Sequence, residues 1–190
     1  MKFYYLPFVC LIVCIVGCLK PKYKDSYQVY IDPYFTNAQV IDIGTAAETW
    51  ENATSDPIDG KKLFLELIIG SCPKGRNETI CIVNDSGLMA TDPNFEGFTQ
   101  RNEEEDFSTI YIADNFAWQN FHTDFTMLIA HEMGHAFGCH HTLTGLMYYL
   151  IYPDTTITCG DVAQYESFRN QSNITTMCPD GGSFQLDPDH

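Results

Sequence analysis

His131-Glu132-Met133-Gly134-His135-Ala136-Phe137-Gly138-Cys139-His140-His141 fits the pattern H-E-x-x-H-x-x-G-x-x-H at every fixed position and holds four of the chain's six histidines. On a helix, residues four apart stand one above the other on the same face. His131 and His135 can therefore aim two imidazoles at one point, with the carboxylate of Glu132 beside them. Gly138 stops the helix and turns the chain, which returns His141 as a third ligand. Three protein ligands around an ion that prefers four leave one position for water, the arrangement of a catalytic rather than a structural zinc site.

Two histidines and a glutamate on a buried helix are also compatible with ordinary satisfied polar packing. The glycine and the third histidine at fixed offsets change the balance, because no packing requirement asks for all of them together. Gly134 and Gly138 each cost roughly 1 kcal/mol relative to alanine in a helix interior. A purely structural helix gains nothing from either, so the motif points to a metal.

Six residues beyond His141 comes Met147, in Thr144-Gly145-Leu146-Met147-Tyr148-Tyr149. With this methionine the extended motif resembles the metzincin clan of zinc metalloproteases, and among its families the chain is most similar to the matrixin catalytic domain. The resemblance implies an α+β fold, a twisted mixed sheet of about five strands with three helices and an active-site cleft between an upper and a lower part. It also implies that a turn carrying Met147 lies beneath the zinc, where an ordinary core methionine is the blander reading. Matrixins usually have proline two residues beyond the methionine, whereas this chain has Tyr149. A tyrosine there is similar to astacins and serralysins, in which it can approach the zinc or the transition state. Tyr149 is therefore a candidate oxyanion helper; Tyr148, Tyr152 or no tyrosine at all are the alternatives.

Around the motif, Val40, Ile43, Ala47 and Trp50 follow helical spacing and predict an amphipathic helix over 37–54. Residues 27–31 read as a first strand and 79–83 as a third. Residues 63–69 (LFLELII) read as a second, apolar on nearly both faces, as expected under helices in a central sheet. Residues 87–93 resemble the matrixin edge strand, whose backbone, here around Leu88 to Ala90, pairs with an extended substrate. Residues 108–113 read as the last strand before the motif helix. That helix is expected to start with Thr123 as N-cap and Asp124 in its first turn. Residues 161–169 resemble the closing helix of a matrixin domain.

The 190 residues suit one domain, expected at 26–170 and followed by a loosely ordered tail at 171–190. Lys2 precedes an apolar run from Phe3 to Leu19 broken only by Pro7. A confident membrane span needs about 20 apolar residues, so residues 1–17 fit a secretory signal peptide and 18–25 a short linker. Ile15-Val16-Gly17-Cys18 resembles a bacterial lipobox, which implies lipidation of Cys18 and membrane contact through that anchor alone. An ordinary signal peptide, or an uncleaved anchor with an incidental cysteine, is the other reading. Either way the protein is expected outside the cytoplasm, as a membrane-anchored lipoprotein or secreted. No pro-segment of the kind that keeps matrixins latent is expected before the first strand.

Cysteine usage agrees with an oxidising compartment. With Cys10 and Cys14 in the signal and Cys18 lipidated, five of the eight cysteines remain. Cys72 and Cys81 flank a charged turn and could form a disulfide; Cys159 and Cys178 could staple the tail to the last helix. Cys139 is left over beside the third ligand and is expected to point away from the metal with His140.

A net charge of −15 argues against nucleic acid and anionic membrane surfaces as partners. It favours cationic peptides, although solubility alone accounts for it. The densest acidic run, Asn102-Glu103-Glu104-Glu105-Asp106, reads as a solvated loop. A Ca2+ site is the alternative, since hard cations bind clustered carboxylates and matrixins often carry structural calcium.

By resemblance the chain is expected to be a monomeric zinc-dependent endopeptidase acting on protein or peptide substrates. One catalytic Zn2+ would be held by His131, His135 and His141, with Glu132 as general base and then general acid. Two other readings stand beside it. One is an anchored metzincin-like binding protein without catalysis, which has no need of Glu132. The other is a zinc hydrolase of a non-peptide amide.

Overall fold

Thr36 opens the first helix. Its hydroxyl accepts from the backbone N–H of Gln39, and the Gln39 side chain accepts in return from the Thr36 N–H at 2.9 Å, which closes a capping box. The helix it starts, α1 (Asn37–Ala53), buries Ile43, Ala46, Ala47 and Trp50 along one stripe, as the spacing predicts. The structure is a computed structural model. It describes residues 26–54, 63–85, 87, 96–102, 106–113, 124–142, 146–147 and 156–170, and the side chains of residues 159 and 166–170 lie outside that description.

The strands are β1 (Ser26–Ile31), β2 (Phe64–Ile69), β3 (Thr79–Asp85), β4 (Gly97–Asn102) and β5 (Phe107–Ala113). They form one sheet in the order β2-β1-β3-β5-β4. β1 pairs in parallel with β2 and β3, β3 pairs in parallel with β5, and only β4 runs antiparallel, against β5. Two further helices follow, α2 (Phe125–Ala136) and α3 (Cys159–Asn170). A mixed α+β fold with a five-stranded sheet and three helices is thus what the described residues form.

Strand alternation builds the core. Tyr27, Val29 and Ile31 of β1, Ile80 and Ile82 of β3, and Ile110 and Ile112 of β5 are buried together with the apolar stripe of α1 and with Leu128, Ile129 and Met133 of α2. α1 packs on α2, and Trp50, Phe137 and Tyr165 meet in edge and tilted contacts with ring centroids 5.3 to 6.3 Å apart.

Two expectations need correction, the cover on β2 and the N-cap of α2. The two-sided apolar strand β2, expected to lie under helices, sits at the outer edge of the sheet and leaves Phe64 58 % and Ile69 62 % exposed. Its second face is open rather than packed under a helix, while the side chain of Glu51 takes the Leu65 N–H at 2.7 Å. The antiparallel strand at the opposite edge is Gly97–Asn102. Of residues 87–93 only Gly87 is described, in a turn, and the others lie outside the described residues. Asp124, not Thr123, caps α2, because its carboxylate accepts from the Thr126 N–H at 2.8 Å; Thr123 lies outside the described residues.

Among the described residues, no helix is long and apolar enough to cross a membrane. Cys72 and Cys81 are joined in a disulfide that links the segment after β2 to β3, with Cα atoms 5.7 Å apart.

Candidate metal centre

α2 delivers His131 and His135 one turn apart, and the end of the same helix delivers His141. Phe137 is the C-cap and Gly138 follows with φ +93°, a left-handed conformation that glycine adopts without a Cβ penalty. The Gly138 N–H then bonds to the His135 carbonyl and the Cys139 N–H to the Gly134 carbonyl, both at 2.9 Å. These are the two bonds of a Schellman ending, and they reverse the chain so that His141 faces the helix it has just left.

The three imidazoles converge. His135 Nε2 lies 3.1 Å from His131 Nε2 and 3.2 Å from His141 Nε2, and the possible ligand atoms of the three residues all fall within 4.8 Å of one another. The opposite ring nitrogens explain what faces the centre. His131 Nδ1 lies 2.7 Å from the Leu146 carbonyl oxygen, and His135 Nδ1 lies 2.8 Å from that of Cys139. A carbonyl only accepts, so each Nδ1 carries the proton and each Nε2 presents a lone pair.

Burial and then the neighbouring His135 push His131 down to about 3. Burial and then His141 and His140 push His135 down to about 4, against its bond to the Cys139 carbonyl. Both rings are therefore neutral at pH 7. Two lone pairs facing each other at about 3 Å repel unless a cation stands between them. Tetrahedral zinc, with N ligands at about 2.0–2.1 Å, sets its nitrogens about 3.3 Å apart. The donor set fits that ion in chemistry and in spacing, and ligand histidines held by backbone carbonyls are the usual orienting arrangement.

Glu132 is 5 % exposed. Burial raises its carboxyl to about 7, against a hydrogen bond from the Thr99 hydroxyl that favours the charged form. Met147 is fully buried beside α2. The backbone around it serves the site directly, since the Leu146 carbonyl orients His131 and the Met147 carbonyl accepts from Thr142 N–H at 2.8 Å.

α3 clamps this turn. Asp161, fully buried, accepts from the N–H groups of Leu146 at 3.1 Å and Met147 at 3.2 Å. It also accepts from the N–H and the hydroxyl of Thr158, both at 2.7 Å. Gln164 exchanges two hydrogen bonds with the backbone of His140, at 2.8 and 3.0 Å. Asp161, Gln164, Thr99 and Trp50 were not singled out for the site from sequence. Only Asp161 leaves a local trace, as the third residue after Thr158 at the start of a helix.

Cys139 is buried with a free thiol; its sulfur lies 3.9 Å from the Asp161 carbonyl and stays out of the ligand group. Burial raises its thiol well above the usual cysteine range, which keeps it protonated. His140 is exposed. Tyr148, Tyr149, Tyr152, Cys18 and Cys178 lie outside the described residues, as does the side chain of Cys159. Of the acidic run, Asn102 ends β4 and Asp106 occupies a turn with φ +46°, while Glu103 to Glu105 lie outside the described residues.

No protein-family model matches the sequence, and no curated protein matches it. Among solved structures, the chain is similar to high choriolytic enzyme 1 of the medaka fish Oryzias latipes, a hatching-enzyme zinc-protease. The identity is 14 %, the TM-score is 0.38, and the match covers 61 % of this chain and 44 % of that one. The chain therefore spans less than half the length of that solved structure.

Proposed function

We propose that this protein is a zinc-dependent endopeptidase of the metzincin type, most like the matrixin catalytic domain. The observation that carries the reading is the convergence of imidazole lone pairs, fixed by carbonyl acceptors on the far side of two rings. His131, His135 and His141 would hold the ion through Nε2.

When bound, zinc supplies the Lewis acidity that lowers the pKa of water and polarises a carbonyl. Glu132 is the proton carrier. A carboxyl raised to about 7 by burial both takes and gives a proton near neutral pH, and a dication in the centre favours its charged form. A Glu132 carboxylate oxygen accepts a proton from the attacking water and returns it to the leaving amine nitrogen. Zinc also supports a non-peptide amide hydrolase; the peptide reading adds backbone pairing of an extended substrate with the segment around Leu88 to Ala90. The Cys72–Cys81 disulfide agrees with a site of action outside the reducing cytoplasm.

Cleavage of an unbiased peptide library by the zinc-loaded protein tests the proposal, with Glu132→Ala and a chelated sample alongside. Cleavage that requires both zinc and Glu132 is expected. A folded, zinc-loaded protein that cuts no peptide would turn the reading to a binding module.

A further inference from the structure

We infer that Thr99, on the antiparallel edge strand β4, is a positioning residue for Glu132; the inference rests on Glu132 acting as the base. Alternate residues of a strand share one face, and on β4 one such face carries Gly97, Thr99 and Arg101. Its first two members meet Glu132. A Cβ at Gly97 would stand 3.8 Å from Glu132 Cγ, so the strand comes close to the side chain there. Thr99 Oγ1 lies 2.7 Å from Glu132 Oε2 and 2.9 Å from the Glu132 backbone oxygen.

A hydroxyl has one proton to donate and lone pairs to accept with. It donates to Oε2 while Glu132 is a carboxylate. When Glu132 has taken up a proton, the hydroxyl turns its own proton to the backbone oxygen and accepts from the acid. The Thr99 hydroxyl keeps a partner in either arrangement, so one side chain seats the base before and after the proton has moved. The bond also couples the placement of the base to β4, 33 residues away in sequence.

Thr99→Val keeps the shape and the strand preference and removes the hydroxyl; Thr99→Ser restores it. A hydrogen bond to a charged group is worth a factor of roughly 10 to 100, so kcat of Thr99→Val on the best library peptide should fall by about that factor. KM and zinc affinity should stay within about twofold, and Thr99→Ser should recover most of the rate. A readout independent of turnover is the infrared carboxyl band of Glu132, assigned by difference against Glu132→Gln. That band should shift in Thr99→Val and return in Thr99→Ser.

An active wild type whose Thr99→Val variant keeps its kcat or its band overturns the inference and leaves the peptidase reading intact. A Thr99→Ser variant as impaired as Thr99→Val overturns it too, since the shape of the side chain rather than its hydroxyl would then matter. A wild type that holds zinc and cuts no peptide overturns the peptidase reading, and the positioning role with it.

Discussion

Gly134 and Met147 are packed so closely that a Cβ on Gly134 would overlap the Met147 sulfur, and it would also stand 3.0 Å from Trp50 Cζ2. The glycine lies between the two ligand histidines of α2, and its bare Cα lets the methionine turn and the α1 tryptophan close beneath them. The Trp50 indole N–H completes the contact by donating to the Ala130 carbonyl at 2.7 Å, one residue before His131.

Gly134→Ala is the direct test of that packing. Alanine gains about 1 kcal/mol in helix propensity, but overpacking a core costs about 1–3 kcal/mol, and Met147 is fully buried. Net destabilisation in urea melts is expected, with zinc affinity lowered because Met147 shares its turn with the carbonyl that orients His131. An equally stable variant with unchanged affinity would show that Met147 has room to move.

Asp161→Asn should loosen the methionine turn. The carboxylate accepts four hydrogen bonds, and an amide replaces one accepting oxygen with a donor facing other donors. Each buried group left unsatisfied costs about 1–3 kcal/mol. A fall in Tm of roughly 10 °C is expected for a chain of this size. Zinc affinity should drop about 10- to 100-fold, as for other losses of ligand-orienting groups.

Metal removal should cost stability through the same three histidines. A ligand at a thousandfold excess over its Kd stabilises the native state by about 4 kcal/mol, so saturating zinc should raise Tm by roughly 10 °C. His135→Ala should abolish that rise. Persistence of the full rise in the variant would place zinc elsewhere.

The pH dependence of the metal-free protein isolates Glu132. Burial raises its carboxyl from an ordinary 4.5 to about 7, so the folded state holds that proton more tightly than the unfolded state does. The stability this contributes is present in full below about pH 4.5 and is lost as pH rises through about 7. Glu132→Gln does not titrate and should gain on the wild type by up to about 3 kcal/mol between pH 4 and pH 8. His131 and His135, depressed to about 3 and 4, act with the opposite sign. Their contribution is present above about pH 6.5 and is lost as pH falls through their folded values. Both proteins share those histidines, so the difference between their urea melts reads the carboxyl alone; a flat difference would contradict its burial.

What the sequence determined by itself is what short-range geometry determines. The four-residue spacing of His131 and His135, the glycine that admits φ +93° at 138 and the apolar stripe of α1 are local properties, readable from the order of residues. β4 was missed because Gly97-Phe98-Thr99-Gln100-Arg101-Asn102 has no apolar alternation; it lies at a sheet edge, where such a strand needs none. β2 misleads for the converse reason, since an apolar strand looks covered on both faces even where one face stays open. Only the tertiary structure decided the pairs 33 and 80 residues apart, Thr99 with Glu132 and Trp50 with Ala130, and the hold of Asp161 on the methionine turn. Those contacts depend on strand order and helix packing, and no periodicity in the chain encodes which distant donor will meet which acceptor.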